Sequence, residues 1–168
     1  MMSSSWWRVS NTPLPSSEEV DDVIRLHVNV NGRLITIFKY KGQISAIDAI
    51  CHHAGGPLTL GKVQDIEDLS CTVVLCPWHQ YAVTIDKGLK AYRGVEITGG
   101  KPVNTGWKLG KIVQRVHEVK ETPSGVYIVS TGDLILISII MVYCQYHTLN
   151  SCNYKLCVVD DAPNTVLE

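Results

Sequence analysis

Short runs of alternating apolar and polar residues, separated by turn chemistry, dominate the chain from Trp6 to about Val129. In "RLITIFKYKGQISAIDAI", Leu34, Thr36 and Phe38 alternate with Ile35, Ile37 and Lys39. Lys41-Gly42 then supplies a turn, and Ile44, Ala46 and Asp48 alternate with Ser45, Ile47 and Ala49. A period of two on both sides of a tight turn predicts a β-hairpin. "DVIRLHVNV" before it ends at Asn31-Gly32, a second tight-turn signal. "SCTVVLC", "YAVTI", "KIVQRVHEVK" and "GVYIVS" are β-branched and bounded by Gly, Pro, Asp or Ser, and they read as further strands. "TGGKPVNTG" reads as a plain loop without P-loop spacing.

No window of helical length keeps a 3.6-residue period with caps, and a single helical turn after Pro57 is the only helical feature expected. The pattern therefore predicts an all-β fold, a small antiparallel sandwich or partly open barrel with a loop-rich subdomain. Its expected limits are a disordered N-terminus over 1–5, one domain over 6–130, and a C-terminal tail over 131–168. The tail holds the longest apolar run, Leu134 to Tyr143, then Cys144, His147, Cys152, Cys157 and an acidic end. That run reads as another core strand followed by a frayed terminus. A second metal site in the tail has only loosely zinc-like spacing, and a segment foreign to the domain is the other reading.

With 168 residues, the chain has room for one domain and hardly for two. Fifteen basic residues against sixteen acidic ones give no electrostatic case for nucleic acid or an anionic membrane. The N-terminus lacks a secretory pattern, and the longest apolar run is about half of what a bilayer needs. These features point to a soluble, cytosolic protein without a membrane span, and a monomer is the default expectation. Thiols there stay reduced, and cysteines bind metal more often than they form disulfides.

The chemistry concentrates between Cys51 and His79. Cys51 and His53 stand two apart in "CHHAGGPL", and Cys76 and His79 three apart in "CPWH". Thiolate and neutral imidazole are common metal ligands, and two of each fill four coordination positions. Zinc accepts such a Cys2His2 set. Zinc fingers, however, pair like with like, whereas each loop here carries one of each. Mixed pairs suit a two-iron cluster in which one iron takes both cysteines and the other both histidines.

At these two boxes the sequence resembles Rieske proteins, and specifically single-domain, ferredoxin-like Rieske proteins, over roughly Trp6 to Val129. The linker between the boxes is longer than in many Rieske proteins, and the resemblance implies a surface-loop extension around "KVQDIED". The resemblance implies a Rieske [2Fe–2S] cluster, one per chain, with Cys51 and Cys76 on one iron and His53 and His79 on the other. It implies a one-electron carrier between a reductase and an oxygenase or other acceptor. The histidine iron is then the more easily reduced, and imidazole protonation can couple to electron uptake. Gly55, Gly56 and Pro57 are expected to bring backbone N–H groups to the cluster and stiffen the loop. Pro77 would fix the second turn, and Trp78 would be an apolar lid or plain core.

Respiratory-complex Rieske proteins carry an additional cysteine in each box, joined as a disulfide; Gly56 and Trp78 stand at those places here. Those proteins also follow the second histidine with a serine and a tyrosine, whereas "HQYAV" offers Gln80 and Tyr81. Fewer donors to sulfur imply a lower potential, nearer that of oxygenase-associated ferredoxins.

Other functions fit less well. A complete Rieske oxygenase needs a further iron site that the remaining residues cannot supply. A ferredoxin subunit of a multi-chain oxidoreductase, or a zinc-binding interaction module, are the alternatives. His52 reads as a solvent-facing neighbour, Cys71 as a buried structural thiol, and His27 and His117 as ordinary surface or edge residues.

Overall fold

The computed structural model describes residues 6–16 and 23–129, together with the backbone of 156–158. Strands fill most of it, and no α-helix occurs among the described residues. The alternating segments become β1 (Trp7–Ser10), β2 (Val23–Val30), β3 (Arg33–Tyr40) and β4 (Gln43–Asp48). Next come β5 (Lys62–Ile66), β6 (Cys71–Leu75), β7 (Ala82–Thr84), β8 (Leu89–Thr98) and β9 (Lys101–Ile112). The closing hairpin is β10 (Val116–Thr122) and β11 (Gly125–Val129), and β12 (Leu156–Val158) follows.

Two sheets result. A seven-stranded sheet runs β1-β11-β10-β4-β3-β2-β12 and nearly closes on itself; a five-stranded sheet runs β5-β6-β7-β8-β9. Both predicted tight turns have positive φ at their two central residues, 52° and 76° at Asn31-Gly32 and 50° and 77° at Lys41-Gly42. That geometry matches the twist of the strands it joins. β10 pairs with β4 through Val116 and His117 and with β11 through Glu118–Thr122, so it binds the halves of the larger sheet together.

β3 is buried on both faces. Ile35 and Ile37 enter one core with Leu26, Val28 and Ile128, while Phe38 and Tyr40 enter another with Leu58, Val63, Val74 and Val83. Cys51 and Cys76 belong to this second core.

Three expectations need correction. "KVQDIED" is not a loop: its first five residues are β5, paired with β6, and Glu67–Leu69 form a 3-10 turn. "TGGKPVNTG" is the tip and outgoing strand of the long β8–β9 hairpin. "KIVQRVHEVK" is two strands, broken at Val113–Arg115 where the chain passes from one sheet to the other. In each case long-range pairing outweighs the local pattern. The turn after Pro57 is a short 3-10 helix, Leu58–Leu60. The proposed N-terminal segment 1–5, the run Leu134 to Tyr143, and Cys144, His147 and Cys152 lie outside the described residues. The backbone of Cys157 lies in β12, which runs parallel to β2.

Candidate functional site

The first box follows β4 and leads into β5, where the chain crosses from the larger sheet to the smaller. The second box joins β6 to β7 within the smaller sheet. Both are built in the same way. In the first, the Cys51 N–H donates to Gly56 O at 2.8 Å and the Gly55 N–H to Cys51 O at 3.0 Å. In the second, the Cys76 N–H donates to Tyr81 O at 2.9 Å and the Gln80 N–H to Cys76 O at 2.8 Å. Each turn takes a left-handed residue just before its return, Gly55 at φ 78° and Gln80 at φ 55°.

The matched turns sort the side chains by depth. Cys51 and Cys76 are buried, whereas His53 and His79 lie at the surface. The two thiols are close enough for Cys76 to act on Cys51. Burial pushes the Cys51 thiol above its usual range, the N–H groups of His53 and Ala54 oppose this, and the neighbouring Cys76 reinforces it. The two imidazoles stand edge to face with centroids 5.0 Å apart. Tyr81 stacks on His53 at 4.7 Å and 14°. Among the described residues no three His, Cys, Asp or Glu side chains gather as a single ion would require.

Gly56 leaves no room for a side chain. A Cβ there would lie 2.5 Å from Cys76 Sγ and 3.2 Å from the Trp78 ring. The indole is 46 % exposed. Gly56 and Trp78, the places of the absent disulfide, are thus spatial neighbours. Pro57 opens the 3-10 turn and pairs across to Ile50. Pro77 is exposed between the two ligand candidates of its box.

His52 is exposed, with its ring edge-on to Tyr81 at 5.0 Å. Cys71 is half-buried at the head of β6, and burial first, then Asp86 and Asp65, push its thiol up. His117 is a correction. It is buried, and its Nε2 lies 2.8 Å from Asp48 Oδ1, because the strand carrying it is enclosed at its start. His27 is half-buried, its Nδ1 3.3 Å from Thr59 Oγ1.

Two further residues complete the site. Gln114, in the break between β9 and β10, is buried, and its Nε2 donates to Asp48 O at 3.0 Å and to Ile50 O at 2.8 Å. Its Oε1 accepts from the His52 N–H at 3.1 Å. One amide thereby fastens the first box to the far end of the smaller sheet. Lys90 on β8 holds its ammonium 5.0 Å from the Tyr81 ring centroid. Neither was visible in sequence: Gln114 sits inside an apparent strand and Lys90 in an ordinary polar position.

An all-β fold with two matched Cys/His turns meeting at its surface defines a Rieske-type domain. A family model for soluble Rieske-type ferredoxins matches residues 14–133, and the chain belongs to that family. It is 32 % identical over 111 residues to the human Rieske domain-containing protein, covering 65 % of this chain and 68 % of that one. A solved structure described as an NADH-dependent nitrite reductase small subunit, from Mycobacterium tuberculosis, shares the fold. It matches with TM-score 0.50 at 16 % identity over 74 % of this chain and 92 % of that chain. The ferredoxin of carbazole 1,9a-dioxygenase from Nocardioides aromaticivorans aligns at TM-score 0.45 and 16 % identity, over 70 % and 95 % of the two chains. No helix among the described residues is long and apolar enough to cross a membrane.

Proposed function

We propose that the chain carries single electrons on one Rieske-type [2Fe–2S] cluster, held by Cys51 and Cys76 at one iron and by His53 and His79 at the other. The observation that carries this reading is the sorting of four side chains into a buried sulfur pair and a surface imidazole pair. A structural zinc would need all four around one point; here sulfurs and imidazoles differ in depth. The residues fit the cluster. At Gly56 the space a Cβ would need is taken by the Cys76 thiol, and the N–H groups of His53 and Ala54 face Cys51.

Such a cluster, when bound, supplies a one-electron couple. The protein's residues do the rest. Both thiols give up their protons on binding, and burial keeps water from the thiolates. The backbone N–H groups offset negative charge there. The surface imidazoles bring the redox centre within reach of a partner, and the Lys90 charge beside Tyr81 favours the reduced, more negative state. Tyr81 holds the His53 ring, and Trp78 covers Gly56. No nicotinamide or flavin motif is present in the sequence, so a reductase donor and an oxygenase or other acceptor are separate chains in this reading. It extends to a cytosolic monomer, where reduced thiols remain available for metal.

Anaerobic purification with iron and acid-labile sulfide analysis, and EPR of the reduced protein, tests this. Two irons and two sulfides per chain are expected, and equimolar zinc without sulfide overturns it. A His79→Cys variant that still loads should have a lower potential, because thiolate replaces neutral imidazole. An unchanged potential counts against His79 as a ligand.

A further inference from the structure

The chain total conceals a local charge. Net charge is −1, yet the segment from Lys87 to Arg115, which contains β8 and β9, carries seven basic residues against one acid, Glu96. Strand alternation puts Lys90, Tyr92, Gly94 and Glu96 on one face. The register adds Lys108 opposite Tyr92, Val103 opposite Glu96 and Lys101 opposite Thr98.

Side-chain contacts agree with that assignment. The Lys90 ammonium lies 5.5 Å from the Tyr92 ring centroid, and Lys108 Nζ lies 3.5 Å from Glu96 Oε1. Lys108 also runs across Gly94, where an added Cβ would meet its Cε at 2.7 Å. The face begins at the candidate site, because Lys90 also rests on Tyr81 and Tyr81 stacks on His53. Tyr92 and Val103 are 39 % and 46 % exposed. A stripe of lysines with apolar side chains between them therefore runs outward from one of the surface imidazoles.

We propose that this face of the β8–β9 hairpin, from Lys90 through Tyr92 and Lys108 to Lys101, docks an acidic surface of a redox-partner protein. This inference rests on the electron-carrier reading and names the surface and the charge of the partner. Aromatic and aliphatic contact area framed by charge is the make-up of a protein–protein interface. The lysines steer an acidic partner and fix its orientation. The exposed Lys108–Glu96 pair is weak enough to exchange for a partner carboxylate. Single-stranded nucleic acid wants a row of open aromatic rings. On this hairpin Trp107 turns to the opposite face, beneath Arg93 at 4.6 Å, and leaves Tyr92 alone.

Two measurements on the full chain test the surface. Poly-L-glutamate is titrated while backbone amide shifts are followed by NMR. Stopped-flow oxidation of the reduced protein is measured with hexacyanoferrate(III), an anion, and hexaamminecobalt(III), a cation. The proposal expects glutamate-induced shifts at Lys90, Tyr92, Lys101 and Lys108. A Lys101→Glu/Lys108→Glu variant should bind poly-L-glutamate about tenfold more weakly and react with hexacyanoferrate about fivefold more slowly at low salt, with the reverse trend for the cobalt cation. A Lys62→Glu/Lys120→Glu variant of equal charge should change both far less.

Equal effects from the two variants, or shifts centred elsewhere, overturn the surface. So does preferential binding to anionic phosphatidylglycerol vesicles, which assigns the stripe to a membrane. A chain that loads no cluster fails the electron-carrier reading instead, and the amide mapping still decides whether this face binds an acidic polypeptide.

Discussion

Gly56 and Gln114 act through single atoms. At Gly56 a methyl group has nowhere to go, since Cys76 Sγ and the Trp78 ring occupy its space. Gly56→Ala should therefore cost about 1–3 kcal/mol by overpacking, read as a drop in urea midpoint, and should lower iron and sulfide content per chain. Full loading with unchanged stability would show that the loop can retreat from the thiol. Gln114→Ala leaves the His52 N–H and the carbonyls of Asp48 and Ile50 without this partner. A buried polar group stranded in this way costs about 1–3 kcal/mol. Urea denaturation should show a loss of that size, and a neutral result would mean that water replaces the amide.

The site depends on the likeness of its two turns. Each closes by a hydrogen bond from the fifth residue back to the cysteine carbonyl, and each needs a left-handed residue to do so. Glycine serves at position 55 without steric cost. Gln80 pays for a Cβ in that conformation, about 1–2 kcal/mol for an L residue. Gln80→Gly should accordingly leave the urea midpoint unchanged or raise it. Gln80→Val, branched at Cβ, should lower it by at least the same amount. Equal midpoints for both variants would mean that the turn relaxes to another conformation. Tyr81, whose carbonyl accepts from the Cys76 N–H where the second turn returns, also braces His53, so the two boxes are mechanically joined as well as alike.

Across the whole molecule, the larger sheet and the site are tied by buried polar links as well as by core packing. Thr36 Oγ1 lies 2.5 Å from Thr59 Oγ1, which in turn meets His27 Nδ1. Burial holds the His27 imidazole below its ordinary value. The unfolded chain then takes up the proton first, so this residue's contribution is complete above the ordinary histidine range, about 6.5. It is lost as pH falls through the lower folded value. The urea midpoint should fall between pH 7.5 and 5, and His27→Gln should flatten that decline. A decline of equal slope in the variant would assign it to other groups.

The sequence by itself determined which segments are strands wherever pattern and turn chemistry are local. β2, β3 and β4 with their Asn31-Gly32 and Lys41-Gly42 turns were legible because a period of two and a left-handed turn are properties of adjacent residues. The four Cys and His candidates and the family were legible because ligand spacing is local too. Only the tertiary structure decided what depends on distant partners. The β5–β6 pairing and the long β8–β9 hairpin needed cross-strand partners, and the apparent strand "KIVQRVHEVK" broke because its ends belong to different sheets. The roles of Gln114 and Lys90 emerged only when β9, β8 and the two boxes met. Local steric and hydrogen-bonding rules write themselves into neighbouring residues, whereas burial and charge proximity arise when remote segments are brought together.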